Sequence, residues 1–189
     1  MKSIAIYCGS SKGHDPIYAQ AAQRTGELFA AREIELIYGA GNVGLMGEVA
    51  DAALAKGGKV CGIIPEFLKN WEVYHRGITE LIVTETMHQR KQIMADRSEG
   101  FIALPGGFGT LDELFEIATW GQLRLHAKPI GILNVNGYYD GILAHMKHMT
   151  ETGFLKLENK NMIAVSDNIE DLLAQMSNMD FKATDKWIK

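Results

Sequence analysis

The sequence predicts an α/β fold: a doubly wound, Rossmann-like parallel sheet flanked by helices on both faces, in a single domain over residues 1–189. Three observations predict it. Short apolar runs with no polar alternation recur along the chain, as strands buried on both faces require. Segments with apolar residues at helical spacing separate them. Glycine- and serine-rich loops follow three of the apolar runs, at the strand ends where such sheets bind ligands.

The elements follow in order. Residues 3–8 (Ser-Ile-Ala-Ile-Tyr-Cys) read as the first strand, followed by a loop of small polar residues at 9–13. Asp15-Pro16 starts a helix with proline in its first turn, and Tyr18, Ala22, Thr25, Leu28 and Phe29 recur at helical spacing before it ends near Arg32. A second strand at 34–38 leads into a glycine-rich turn at 39–47 and a helix through Lys56; Gly57-Gly58 stops it, and 59–64 is a third strand. Residues 65–77 are less regular and carry Trp71, Glu72, Tyr74, His75 and Arg76. A strand at 78–84, a helix at 87–97, a strand at 101–104 and a helix through about Leu123 follow. Then come a strand at 129–133, a helix at 138–150, a strand at 162–165 and a helix at 169–176. The tail is polar apart from Phe181, Trp187 and Ile188, which are expected to pack on the domain or on another subunit.

A chain of 189 residues suits one α/β domain with a full core. Net charge is −4 and no long basic stretch occurs, which argues against nucleic acid as a partner but leaves room for a small anionic ligand in a local Arg/Lys pocket. Cys8 and Cys61 end apolar runs and read as buried free thiols of a reducing compartment rather than a disulfide. No apolar run reaches membrane-spanning length, and the first strand begins at once with no signal peptide, so a cytoplasmic protein is expected.

Residues 100–120 organise the rest. Phe101 to Leu104 form a buried strand, Pro105 stops it, and Gly106, Gly107 and Gly109 let the backbone turn and let a ligand approach with no Cβ in the way. The helix N-terminus that follows presents unpaired N–H groups and the positive end of its dipole, a place for an anion. Thr110 and Glu113 have capping-box spacing, so Glu113 reads first as a helix cap, with Asp112 and Glu116 facing water. The turn at 39–47 satisfies G-x-G-x-x-G through Gly39, Gly41 and Gly44, but it follows the second strand and lacks a clear acidic residue after the next one. A tight packing turn and a mononucleotide site therefore compete there, ahead of a dinucleotide cofactor. Met87, Arg90, Lys91 and Met94 share a helix face at i, i+3, i+4 and i+7; the methionines direct the two cations toward a core or pocket, against the plainer reading of a solvated charge run. His88 reads as a core or cap residue, and Ser10 and Ser11 as loop donors.

Together these pieces resemble one family, the LOG-type ("lonely guy") cytokinin riboside 5′-monophosphate phosphoribohydrolases. The motif P-G-G-x-G-T-x-x-E stands at Pro105 to Glu113, and the R-K pair upstream on a helix is Arg90-Lys91. The turn at 39–47 and the opening Tyr7-Cys8-Gly9-Ser10-Ser11 match as well, with one departure: Ala40 stands where the family usually has Gly. The resemblance covers nearly the whole chain and weakens after about Lys160. It implies hydrolysis of the N-glycosidic bond of a nucleoside 5′-monophosphate, with Arg90 and Glu113 as the catalytic pair. It further implies substrate contacts from Arg90, Lys91, Gly107, Phe108, Gly109, Thr110, Leu111, Asp112, Glu113 and Thr119, with Glu72 reaching the site from the irregular segment. It implies at least a homodimer with sites near the subunit interface, for which the helices bearing Arg90 and Glu113 are the candidates; the chemistry itself requires no metal and no redox cofactor. Members are often labelled lysine decarboxylases, but the sequence shows no Ser-x-His-Lys context for a pyridoxal-phosphate lysine.

The chemistry suits these residues. Breaking C1′–N9 builds positive charge on the ribose, as in other glycoside cleavages. A carboxylate near C1′ stabilises that charge or activates water, and a helix N-terminus holds the phosphate so that the ribose meets the carboxylate. An N6-alkyl group on the base would need an apolar wall, for which Met87, Met94, Trp120 and Leu123 are candidates. The rival readings are a non-catalytic nucleotide sensor of the same fold and a Rossmann-type oxidoreductase.

Overall fold

The computed structural model describes residues 1–69 and 74–179. Seven strands form one all-parallel sheet: β1 (Ser3–Tyr7), β2 (Glu35–Tyr38), β3 (Val60–Pro65), β4 (Glu80–Thr84), β5 (Gly100–Ala103), β6 (Ile130–Leu133) and β7 (Ile163–Ser166). The helices are α1 (Pro16–Ala31), α2 (Gly44–Ala55), α3 (Glu66–Lys69), α4 (Met87–Arg97), α5 (Phe108–Gln122), α6 (Asp140–Glu151), α7 (Leu157–Lys160) and α8 (Ile169–Ser177).

Strand order is β4-β3-β2-β1-β5-β6-β7. The chain winds outward from β1 to β4, crosses back, and winds the other way from β5 to β7. The order reverses between β1 and β5, so the loops after these two strands diverge and leave a crevice. Pairing of Tyr7 with Ala103 brings those two loops out side by side.

Alternating residues of each strand serve the two faces. Ile4, Ile6, Leu36, Tyr38 and Ile102 pack on Phe29, Leu45, Val49 and Leu172 of α1, α2 and α8. Ala5, Tyr7, Ile37, Ile63, Phe101, Ala103 and Ile132 pack on Met94, Leu114 and Ile117 of α4 and α5, with Ile142 and Leu143 of α6 at the edge. Both faces are covered by helices, the arrangement the apolar runs require.

Local chemistry sets the ends. The Asp15 side chain accepts from the Ile17 N–H to cap α1, and the Thr86 hydroxyl accepts from Gln89 to cap α4. The capping box expected at Thr110 and Glu113 does not form. α5 begins earlier, at Phe108 with Gly107 as its cap, so Thr110 is already helical and Glu113 lies in the second turn. The glycines carry no side chain to fix the start, and the turn closes as soon as Pro105 is passed. Other differences are small: α3 occupies part of the irregular segment, β4 starts at Glu80 rather than residue 78, and a 3₁₀ turn (Val135–Gly137) delays α6 to Asp140. Trp71, Phe181, Trp187 and Ile188 lie outside the described residues. Cys8 and Cys61 are buried free thiols, and no helix among the described residues is long and apolar enough to cross a membrane.

Candidate active site

Three glycine-rich loops interlock above the crevice. The Gly9 N–H donates to the Pro105 carbonyl at 3.0 Å, and the Leu45 N–H donates to the Gly9 carbonyl at 3.0 Å. Gly44 has a left-handed φ of +65°, and a Cβ there would lie 2.2 Å from the Ser10 carbonyl carbon, so only glycine lets the second loop seat on the first. Ala40 adopts a left-handed φ of +63°, which explains why glycine is usual at this position of the motif.

Between these loops and α4 lies a cavity of about 300 Å³. Cys8, Gly9 and Ser10 form one wall, Met46 and Met87 an apolar one, Arg90 and Lys91 a cationic one, and Gly107 to Thr110 with Asp112 and Glu113 close it. A second depression of about 340 Å³ adjoins it across Gly9, Ser10 and Gly107, with Tyr18 and Tyr138 at its far side. A Cβ on Gly107 or Gly109 would meet nothing within 4 Å, so what those glycines keep clear is the cavity itself. The first N–H groups of α5 have no partner within the helix, an arrangement that suits an anion.

Arg90 is only 8% exposed. Its Nη2 donates to the Gly39 carbonyl at 3.2 Å, Nη1 lies 3.9 Å from the Met87 sulfur, and Nε is buried without a partner among the described residues. A buried guanidinium with spare donors is a group held ready for a ligand. Lys91 instead is paired with two carboxylates, its Nζ lying 2.7 Å from Asp112 and 3.2 Å from Glu116. Burial pulls its pKa down, but the two carboxylates outweigh that and hold it above its ordinary value.

Glu113 makes no hydrogen bond or ion pair among the described residues. Burial raises its pKa from 4.5 to about 7; Arg90 and Lys91 pull it down, and Asp112 and Glu116 push it up. A carboxyl poised near neutrality on a cavity wall is suited to take a proton. The neighbouring Cys8 thiol is driven well above its ordinary range by burial and then by the Glu113 charge, so it stays protonated and inert.

The other expected site residues divide. Thr110 is buried against Gly106, and Phe108 is 92% exposed at the mouth. Leu111 packs on the sheet, and Thr119 is exposed with its hydroxyl donating to the Phe115 carbonyl at 2.7 Å; neither lines the cavity. Glu72 lies outside the described residues, but the next described positions are bound to the central turn: Tyr74 bridges Gly41, and the His75 N–H donates to the Ala40 carbonyl at 2.9 Å. His88 is exposed. Of the apolar candidates for a base pocket, Met87 lines the cavity, whereas Met94 is core, Trp120 lines a separate depression and Leu123 is exposed. Met46 also lines the cavity, although the residue pattern does not single it out as a wall residue; its place two residues after Gly44 in the glycine-rich turn is the signal that points to it.

Fold and site together define a ligand-binding α/β protein with its site at the switch point of a doubly wound sheet, where cations and a protonatable carboxyl face a helix N-terminus. A family model described as "Possible lysine decarboxylase" matches residues 46–176. The chain is 43% identical over 175 residues to cytokinin riboside 5′-monophosphate phosphoribohydrolase LOG7 of Arabidopsis thaliana, covering 93% of this chain and 81% of the relative. It is 44% identical over 174 residues to the cytokinin riboside 5′-monophosphate phosphoribohydrolase of Rhodococcoides fascians, covering 92% and 88%. The chain belongs to this family, the LOG family. Among solved structures it is similar to the molybdenum cofactor binding protein of Rippkaea orientalis (TM-score 0.70, 23% identity, 93% and 94% covered). It is also similar to the molybdenum cofactor carrier protein of Chlamydomonas reinhardtii (TM-score 0.68, 19% identity, 93% and 95% covered). At these identities the likeness concerns the fold alone.

Proposed function

We propose that the protein hydrolyses the N-glycosidic bond of adenosine 5′-monophosphates, N6-modified ones included, releasing the free base and ribose 5-phosphate. The observation that carries this reading is Glu113: a half-buried carboxyl on the cavity wall with a pKa raised to about 7, set beside Arg90 and behind a glycine-rich helix N-terminus. The names of the relatives support the same substrate class. The lysine-decarboxylase description fits less well, because Lys91 at the cavity is tied to two carboxylates rather than free to form an imine.

In this reading the N–H groups at the start of α5 hold the 5′-phosphate, and Gly107 and Gly109 let it approach. The fixed phosphate brings C1′ to Glu113. Water adds to C1′ as the C1′–N9 bond breaks; the electron pair of that bond leaves with the base, which takes a proton from solvent, and Glu113 returns to solvent the proton it takes from the water. The Glu113 carboxylate accepts the proton of the attacking water and stabilises the oxocarbenium-like ribose. Arg90 orients the substrate and Glu113 and assists departure of the base. Met46 and Met87 offer the base an apolar wall. This chemistry calls on no metal and no redox cofactor.

The protein is further inferred to be a cytoplasmic homodimer with its sites near the interface. Phe108 and Phe115 lie seven residues apart on one stripe of α5, both exposed, with Leu123 and Leu125 beyond them. Sedimentation at micromolar concentration checks this: a dimer that Phe115→Asp dissociates is expected, and a monomeric wild type would overturn it.

The activity is tested by incubating the protein with AMP and with isopentenyladenosine monophosphate and separating the products by chromatography. Free base from at least one is expected. Nucleotide binding with no base released would leave a nucleotide sensor instead.

A further inference from the structure

We propose that Tyr138 is a positioning residue of the phosphate-binding turn: its hydroxyl locks the Gly106–Gly107 peptide in the orientation that an incoming phosphate needs. The proposal rests on the monophosphate reading above.

Three successive carbonyls of the turn are each held from outside it. The Tyr139 hydroxyl donates to the Leu104 carbonyl at 2.6 Å, the Gly9 N–H donates to the Pro105 carbonyl at 3.0 Å, and the Tyr138 hydroxyl donates to the Gly106 carbonyl at 2.7 Å. In a trans peptide the C=O and the following N–H point in opposite directions. Drawing the Gly106 oxygen toward Tyr138 therefore turns the Gly107 N–H the other way, and Gly107 lines the main cavity. Were this peptide to flip, a carbonyl oxygen would replace an N–H beside the phosphate.

A peptide between two glycines is the one most free to flip. The turn cannot be stiffened from within, because a Cβ on Gly106 would lie 2.1 Å from the Thr110 hydroxyl and 2.8 Å from the Gly9 nitrogen. The restraint must come from elsewhere in the fold. Tyr138 is placed to supply it: its ring stands edge-on to Tyr18 at 5.7 Å and to Tyr139 at 5.0 Å. The next residue is anchored too, since the Tyr139 N–H donates to the Asn134 side chain at 2.7 Å.

Tyr138→Phe tests the lock. Tyr138 is 43% exposed and phenylalanine keeps its ring contacts, so the fold is retained. The variant is expected to raise KM for AMP and Kd for ribose 5-phosphate about five- to tenfold, the range of one net hydrogen bond. Its kcat should stay within about twofold and its adenosine binding should not change. Tyr139→Phe is the control. The peptide it restrains ends in Pro105 and has no N–H to aim, so it should lower thermal stability with a smaller change in KM.

Unchanged KM and ribose 5-phosphate affinity in Tyr138→Phe would overturn the lock. So would a fall in kcat at constant KM, or equal weakening of AMP and adenosine. A wild type that binds AMP no better than adenosine would overturn the monophosphate reading and the lock with it. A wild type that prefers AMP, with the preference intact in Tyr138→Phe, would overturn the lock alone.

Discussion

The Arg90 guanidinium reaches the Gly39 carbonyl at 3.2 Å, and a Cβ on Gly39 would stand 1.8 Å from the same Nη2. Helix and turn, 51 residues apart in sequence, thus share one cation, and glycine is what leaves it room. Gly39→Ala is expected to push the guanidinium out of place rather than unfold the chain, since the colliding atom ends a flexible side chain. The expected outcome is a loss of activity of ten- to a hundredfold with destabilisation of about 1–2 kcal/mol, read from steady-state kinetics and urea unfolding. Activity within twofold of wild type would show that Arg90 need not sit where it does.

Glu113→Gln keeps the side chain's size and removes its basicity. Base release from AMP should fall about 10²- to 10⁴-fold, the usual contribution of a positioned acid–base group. Wild-type kcat/KM should rise with pH through about 7, because the working carboxylate forms only as the proton leaves. A flat profile from pH 5 to 9 would contradict this role.

The same shift bears on stability with a definite sign. Glu113 has a folded pKa of about 7 against an ordinary 4.5, so between those values the folded protein binds more protons than the unfolded. Its contribution to stability therefore falls as pH rises through that window and levels off above it. Relative to wild type, Glu113→Gln should be more stable by roughly 1–3 kcal/mol at pH 8 and indistinguishable near pH 4.5. Denaturant melts at the two pH values measure this directly.

Lys91 tunes that carboxyl. Its charge lowers the Glu113 pKa, while its partners Asp112 and Glu116 raise it. Lys91→Met removes the first influence and leaves the other two uncompensated, so the midpoint of the pH–rate profile should move to alkaline pH. A midpoint that stays put or moves to acid would separate Lys91 from the catalytic carboxyl.

Gly109 offers a contrast with Gly39. It lies inside α5, and a Cβ there meets no protein atom. Gly109→Ala should stabilise the helix by up to about 1 kcal/mol while weakening AMP binding, because the methyl enters space reserved for the ligand. Thermal unfolding and KM together check it; a gain in stability with unchanged KM would remove Gly109 from the phosphate cradle.

The sheet and the list of parts are legible in residue spacing. Unbroken apolar runs such as 101–104 specify doubly buried strands, α4 is bounded at Met87 and Arg97 as its pattern requires, and the motifs at 90–91 and 105–113 marked the cavity's cations and its carboxyl. These are local signals, carried by residue spacing. Tertiary structure alone decided what each part faces. Spacing made Thr110 and Glu113 a capping pair, but α5 starts at Phe108 and turns Glu113 toward Arg90 and Lys91, where burial raises its pKa. Spacing treated Arg90 and Lys91 alike, yet one keeps a spare buried donor and the other is neutralised by two carboxylates. Leu111 lies within the motif and Thr119 just past it, yet neither lines the cavity. Met46, in the first turn of α2, reaches the cavity, and Tyr138, from the β6–α6 connection, reaches the Gly106 carbonyl; only the strand order brings these segments together. Burial, and with it charge state, depends on which distant segments pack against a residue, and no window of neighbouring sequence contains that.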